Sequence, residues 1–139
     1  MENFDEQESR IISILGTEDL ELNRKTLKIY LQYLKEQIEK PCELTGIEDF
    51  DWEEYYIFGS GNKKEYEKLK KTRPSYKDKF IMIDFETGID GDYGILVNVQ
   101  RTSDKRKFTL PLADLKATAK KTKNYELLDD YSVWFVNYR

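Results

Sequence analysis

The stretch Lys79-Phe80-Ile81-Met82-Ile83-Asp84-Phe85-Glu86-Thr87-Gly88-Ile89-Asp90-Gly91-Asp92-Tyr93-Gly94-Ile95-Leu96-Val97-Asn98-Val99-Gln100 decides the fold. Its period is two. Phe80, Met82 and Asp84 alternate with Ile81, Ile83 and Phe85, which is the signature of a strand and not of a helix. A glycine-rich acidic loop follows, and residues 94–100 are strand-like again. Thr102-Ser103-Asp104-Lys105 signals a hairpin turn, and residues 106–110 read as a third strand with Phe108 and Leu110 facing together. Pro111-Leu112-Ala113-Asp114-Leu115 reads as a turn or short helix. Residues 131–138, rich in β-formers, read as a fourth strand.

Upstream the period changes. Residues 5–15 read as a short helix with Phe4, Ile11, Ile12 and Leu15 on one face and Gly16 as its stop. Over residues 24–39, Leu27, Tyr30, Leu31, Leu34 and Ile38 fall on one apolar stripe, the pattern of an amphipathic helix. Lys40-Pro41 ends it, because proline pushes the preceding residue out of the helical region. Residues 48–58 interleave acids with aromatics and read as a short helix followed by a strand. Gly59-Ser60-Gly61-Asn62 is a turn, and residues 63–71 are a basic helix stopped before Pro74. Helices first and an antiparallel meander second is the order of an α+β protein. The expectation is one domain over residues 1–139: 1–40 helical, 41–78 mixed helix and loop, and 79–139 a small, strongly bent antiparallel sheet of SH3-like barrel form.

Composition removes whole classes of function. The 139 residues contain no histidine, so histidine bases, Ser-His-Asp triads and histidine metal sites are impossible within the chain. Cys42 is the one cysteine, which excludes an internal disulfide and a thiolate zinc site; it reads as a small buried residue. No phosphate-binding or dinucleotide glycine motif occurs, and the protein is expected not to be an enzyme. No apolar run approaches the roughly 18 residues of a membrane span. The opening Met1-Glu2-Asn3-Phe4-Asp5-Glu6 lacks the basic and apolar regions of a leader, so a cytoplasmic location is expected.

Net charge is −4, distributed in blocks. Residues 1–54 carry 6 basic and 15 acidic groups, and residues 55–79 carry 8 basic and 3 acidic ones. An acidic whole repels phosphates, so neither nucleic acid nor a membrane is the expected partner. The basic run Lys63, Lys64, Lys68, Lys70, Lys71, Arg73 reads as a solvated face that balances the acidic first third.

Any metal in such a chain must be held by oxygen, which means calcium or magnesium first. Two clusters are candidates. Asp84, Glu86, Asp90 and Asp92 lie within nine residues, with Gly88, Gly91 and Gly94 among them. A loop of this kind can fold carboxylates and carbonyls around one ion, or serve only a turn. It is not an EF-hand: counted from Asp90, position 12 is Arg101. Glu48, Asp49, Asp51, Glu53 and Glu54 form the second cluster, whose mutual repulsion a cation or basic partner would relieve. Asp78 and the pair Asp129-Asp130, placed before strands, read as turn or capping residues.

Two segments carry a family resemblance. Tyr30-Leu31-Gln32-Tyr33-Leu34-Lys35-Glu36-Gln37-Ile38-Glu39-Lys40-Pro41-Cys42 resembles the opening segment of the small cyanobacterial-type calcium-binding proteins, which closes on proline followed by Phe or Cys. Leu110-Pro111-Leu112-Ala113-Asp114-Leu115 and Asp129-Asp130-Tyr131-Ser132-Val133-Trp134-Phe135 resemble that family's V-P-L-x-x-L and closing D-W-x-x-W segments, with Tyr131 where the family has Trp. Residues 61–79 are a lysine-rich insertion relative to it. The resemblance implies a calcium-binding protein without EF-hands that buffers or senses the ion. The matched motifs do not contain the acidic clusters, so the candidate ligands Asp84, Glu86, Asp90, Asp92, Asp49 and Asp51 come from the residues themselves. The alternative is a metal-free interaction module, of the kind represented by immunity proteins, whose acidic and aromatic surface binds a basic protein partner.

Overall fold

The computed structural model describes residues 4–139, in the order α1 (Phe4–Leu15), α2 (Arg24–Gln37), β1 (Glu43–Gly46), α3 (Asp51–Ile57), α4 (Lys63–Leu69), β2 (Lys79–Asp90), β3 (Gly94–Arg101), β4 (Lys107–Pro111), a 3-10 turn (Leu112–Asp114), β5 (Leu115–Ala117) and α5 (Lys123–Tyr138). Met1-Glu2-Asn3, part of the stretch read above for a leader, and the side chain of Phe4, read into the first apolar face, lie outside the described residues.

The strands form one antiparallel sheet in the order β4-β3-β2-β1-β5. The α+β class is as expected. The barrel is not: the sheet is open, with β4 and β5 as its two edges. Two further expectations are corrected. Residues 43–46 supply a strand that the sequence reading missed, while the strand expected as the second part of residues 48–58 does not form, that part being helix to Ile57. Residues 131–138, expected as a fourth strand, are the last two turns of α5.

The reason for the second correction lies upstream of the octamer. Thr122 caps the helix, its Oγ1 accepting from Tyr125 N at 3.3 Å. Leu127, Leu128, Tyr131, Trp134 and Phe135 then recur at helical spacing and are all buried. β-propensity is a weak preference, and burial of this stripe overrides it. α2 forms as expected. Asn23 Oδ1 accepts from Thr26 N at 2.9 Å and Thr26 Oγ1 accepts from Asn23 N at 3.0 Å, a reciprocal cap. Its stripe Leu27, Tyr30, Leu31 and Leu34 is buried. The two helices meet through Tyr30 and Trp134, whose rings stack with centroids 4.9 Å apart.

One face of the sheet supplies the other half of the core, through Leu44, Phe80, Met82, Ile95, Val97, Val99, Leu115 and Ala117. β2 keeps its phase only as far as Met82. The pairing then shifts: Met82 faces Val99, Asp84 faces Asn98 and Phe85 faces Val97. One extra residue, Ile83, turns the strand over, so Phe85 instead of Asp84 shares a side with Met82.

The segment between α4 and β2 is fastened by a buried cation. Arg101, 3% exposed, donates to the carbonyls of Lys70, Lys71 and Arg73 at 2.8–3.0 Å and pairs with Asp78 and Asp104. Those two carboxylates hold the guanidinium firmly protonated, and Arg101 in turn pulls Asp104 well below the usual carboxylate range.

Candidate functional site

The acidic run after β1 is shaped by three backbone and side-chain ties. A Cβ on Gly46 would lie 2.6 Å from Tyr76 Cα, so only glycine lets β1 pass that segment. Ile47 N donates to Asp114 O at 2.9 Å, which sets residues 47–50 against the 3-10 turn. Ser132 Oγ donates to Ala113 O at 3.1 Å and holds α5 to the same turn from the other side.

Glu53 then fixes α3. It is fully buried and accepts from Tyr66 Oη at 2.6 Å, Ser75 Oγ at 2.8 Å, Tyr76 N at 2.8 Å and Phe50 N at 3.2 Å. A buried carboxylate is tolerated when donors saturate it. Glu53 is thus an internal anchor, and burial beside it raises the Tyr66 hydroxyl's pKa.

The remaining acids of the run line a cleft of about 530 Å³ between the β1–α3 connection, the 3-10 turn and α5. Glu48, Asp49, Asp51 and Glu54 contribute from the β1–α3 side, Asp114 from the 3-10 turn and Asp129 from α5. An adjoining recess of about 400 Å³ shares Asp51, Tyr93, Pro111 and Asp114 with the cleft and adds Asp90.

Asp114 reports the electrostatics of the place. Its carboxyl is pushed up to about 6, first by burial, then by the charge of Asp51, with a smaller push from Glu48 and partial relief from Arg139. Burial is the larger cause and the neighbouring acids the smaller one, and carboxyls perturbed in this way concentrate at functional sites. Among the described residues no three acidic or thiol side chains are gathered tightly enough to cage an ion.

The six sequence-derived ligand candidates are divided by this geometry. Asp49 and Asp51 line the cleft. Asp90 lines the adjoining recess, and its Oδ1 accepts from Asp92 N and Tyr93 N, both at 2.8 Å, so it also builds the hairpin turn. Asp92 is exposed at the hairpin tip. Asp84 and Glu86 each accept a 2.8 Å hydrogen bond from Asn98 Nδ2, and Asn98 Oδ1 accepts from Thr109 Oγ1 at 2.6 Å. That row belongs to the sheet surface and does not line the cleft.

Asp114 was not among the candidates. Its only signal was its place in the Leu110–Leu115 segment, and nothing in that segment announces a neighbouring charge far upstream. Asp129-Asp130, expected before a strand, lie inside α5. Asp130 is 2% exposed and takes both Arg10 Nε and Nη2 at 2.8 Å, joining α1 to α5. Asp78 accepts from Ser75 N at 2.9 Å, the turn role expected of it. Cys42 is buried as expected, and burial pushes its thiol up. In the basic run, Lys70 and Arg73 lie over the rings of Tyr66 and Trp52. No helix among the described residues is long and apolar enough to cross a membrane.

Fold and cleft together describe an α+β protein of five helices on an open antiparallel sheet, with an oxygen-donor cleft beside its last helix. Two solved structures share this fold over nearly the whole chain. The crystal structure of Anabaena CcbP matches with a TM-score of 0.62 and 16% identity, covering 97% of this chain and 93% of that one. A calcium binding protein in the calcium-binding form matches with a TM-score of 0.57 and 16% identity, covering 95% and 90%. The likeness is one of fold, and it agrees with the resemblance to the cyanobacterial-type calcium-binding proteins drawn from residues 30–42 and 110–135. No protein-family model matches the chain, and no curated protein matches it in sequence.

Proposed function

We propose that this protein binds calcium without catalysing a reaction, and that the ion is held in the acidic cleft by Asp49, Asp51 and Asp114, with Asp90 contributing from the adjoining recess. The observation that carries this reading is the cleft lining, which brings Asp114 of the 3-10 turn to the same cavity as Glu48, Asp49, Asp51 and Glu54. A divalent cation would offset the charge that Asp51 and Glu48 place beside the buried Asp114 carboxyl. The donors fit: calcium takes 6–8 oxygens from carboxylates, carbonyls and water, and the chain offers no histidine. The fold likeness to a calcium-binding protein supports the same reading.

The ion supplies positive charge and no chemistry of its own. Because three carboxylates are not already gathered, binding must order the β1–α3 connection, and that conformational cost sets the affinity at micromolar or weaker. Buffer and sensor differ in whether this ordering reaches other surfaces of the molecule. The test is a thermal melt of the metal-stripped protein with calcium, and with magnesium as control. Mass action predicts a calcium-selective rise in midpoint. The rise is expected to vanish in Asp51→Asn/Asp114→Asn and to persist in Asp84→Asn/Glu86→Gln. An equal rise with both ions, or one indifferent to Asp51 and Asp114, would reduce the cleft to diffuse acidic screening.

A further inference from the structure

Three large apolar side chains are left uncovered around the mouth of this cleft. Ile47 is 43% exposed, Tyr93 44% and Val136 59%, and all three line it. They come from three separate places, the β1–α3 connection, the β2–β3 hairpin and α5, so the strip is a product of the fold and not of one apolar run. Grouped exposed apolar side chains bordered by charge mark interaction surfaces. The other exposed large apolar side chains, Tyr55, Ile57, Phe58 and Ile83, do not line the cleft.

The charge around the strip selects the occupant. Glu48, Asp49, Asp51, Glu54 and Asp129 stand beside it, and Arg139 is the one basic side chain in the lining. A membrane or a nucleic acid would bring phosphates against those carboxylates. A helix with an apolar stripe and lysine flanks satisfies both parts at once. We propose that the groove formed by Ile47, Tyr93 and Val136 docks a basic amphipathic helical segment of a partner protein, its apolar side chains seated on the strip and its lysines on the carboxylates. Docking rests on the groove itself; its regulation rests on the calcium reading above, since ion and lysines compete for the same oxygens and calcium would release the partner.

The test uses a fluorescein-labelled peptide of about 14 residues with leucines at i, i+3, i+4 and i+7 and lysines between them, followed by anisotropy in calcium-free buffer. A peptide of equal charge with serine in place of leucine is the control. The leucine peptide is expected to bind at least about tenfold more tightly than the serine peptide. Val136→Asp is expected to weaken it about tenfold although the change adds a negative charge, which a purely electrostatic mode would reward. Ile47→Asn provides a second variant at an exposed position, and circular dichroism checks that both fold. Equal affinity for the two peptides, or unchanged binding by both variants, would overturn the docking surface. Millimolar calcium is expected to displace the peptide. A calcium-selective melt shift without peptide binding overturns this inference and leaves the metal reading standing. Peptide binding without any calcium shift supports the groove and removes the metal.

Discussion

Tyr131 Oη accepts a hydrogen bond from the backbone N–H of Ile95 at 3.0 Å, and both residues are fully buried. The bond ties the start of β3 to the middle of α5, and burial raises the tyrosine's pKa. Removing the hydroxyl leaves a buried amide without that partner, so Tyr131→Phe is expected to cost about 1–3 kcal/mol in urea unfolding. A change indistinguishable from zero would mean that water or another acceptor reaches Ile95 N.

The neighbouring Gly94 has a φ of +72°, and a Cβ there would stand 2.5 Å from Phe135 Cε1 and 2.7 Å from Tyr131 Oη. Gly94→Ala therefore meets a left-handed backbone and a clash together. The expected loss is about 2–4 kcal/mol, the roughly 1 kcal/mol backbone effect added to the about 1–3 kcal/mol of overpacking. At Gly88 and Gly91 a Cβ would meet nothing within 4 Å, and neither has a positive φ, so their alanine variants should melt close to the parent.

Asp114 predicts the shape of the pH profile in calcium-free buffer. Its native carboxyl titrates near 6 against an ordinary 3.8. Between those values the native state binds more protons than the unfolded state, so stability falls as pH rises through that window. Asp114→Asn removes this contribution. The variant should be the more stable protein at pH 7–8 and should show a flatter midpoint between pH 4 and 6. A parent and variant with parallel profiles would place the repulsion elsewhere.

What the sequence made legible was local. α2 was readable because its stripe and Lys40-Pro41 agree. The β2–β3 hairpin was readable from its alternation, yet the side on which Asp84 falls was not, since a single bulged residue at Ile83 reverses the phase and leaves no mark on composition. α5 was misread because the window began at Tyr131, where Val133, Trp134, Phe135 and Val136 favour strands. Including Leu127 and Leu128 shows the helical stripe. The cleft was half legible: Asp49 and Asp51 stood out as neighbours in sequence, whereas Asp114 joins them only through the pairing of β1 with β5 and the Ile47–Asp114 backbone bond. Proximity made by sheet order has no signature in a single chain read along its length.

Arg101 carries a last consequence. The lysine-rich excursion from Phe58 to Asp78 adds no strand to the sheet, and at its root three of its carbonyls end on this one side chain. Its attachment is a set of point contacts, Arg101 on its carbonyls and Glu53 on Tyr66, Ser75 and Tyr76, with no ladder of strand pairing. Strand registers on either side of it are therefore set without strand pairing from the excursion, while its outer turn at residues 59–62 is held to α3 by Gly61 N donating to Tyr55 O at 3.1 Å. The excursion's end is held as well by β1, where Gly46 N and Thr45 Oγ1 donate to Tyr76 O and Thr45 Oγ1 to Asp78 O, so the guanidinium shares that load with one edge of a neighbouring strand.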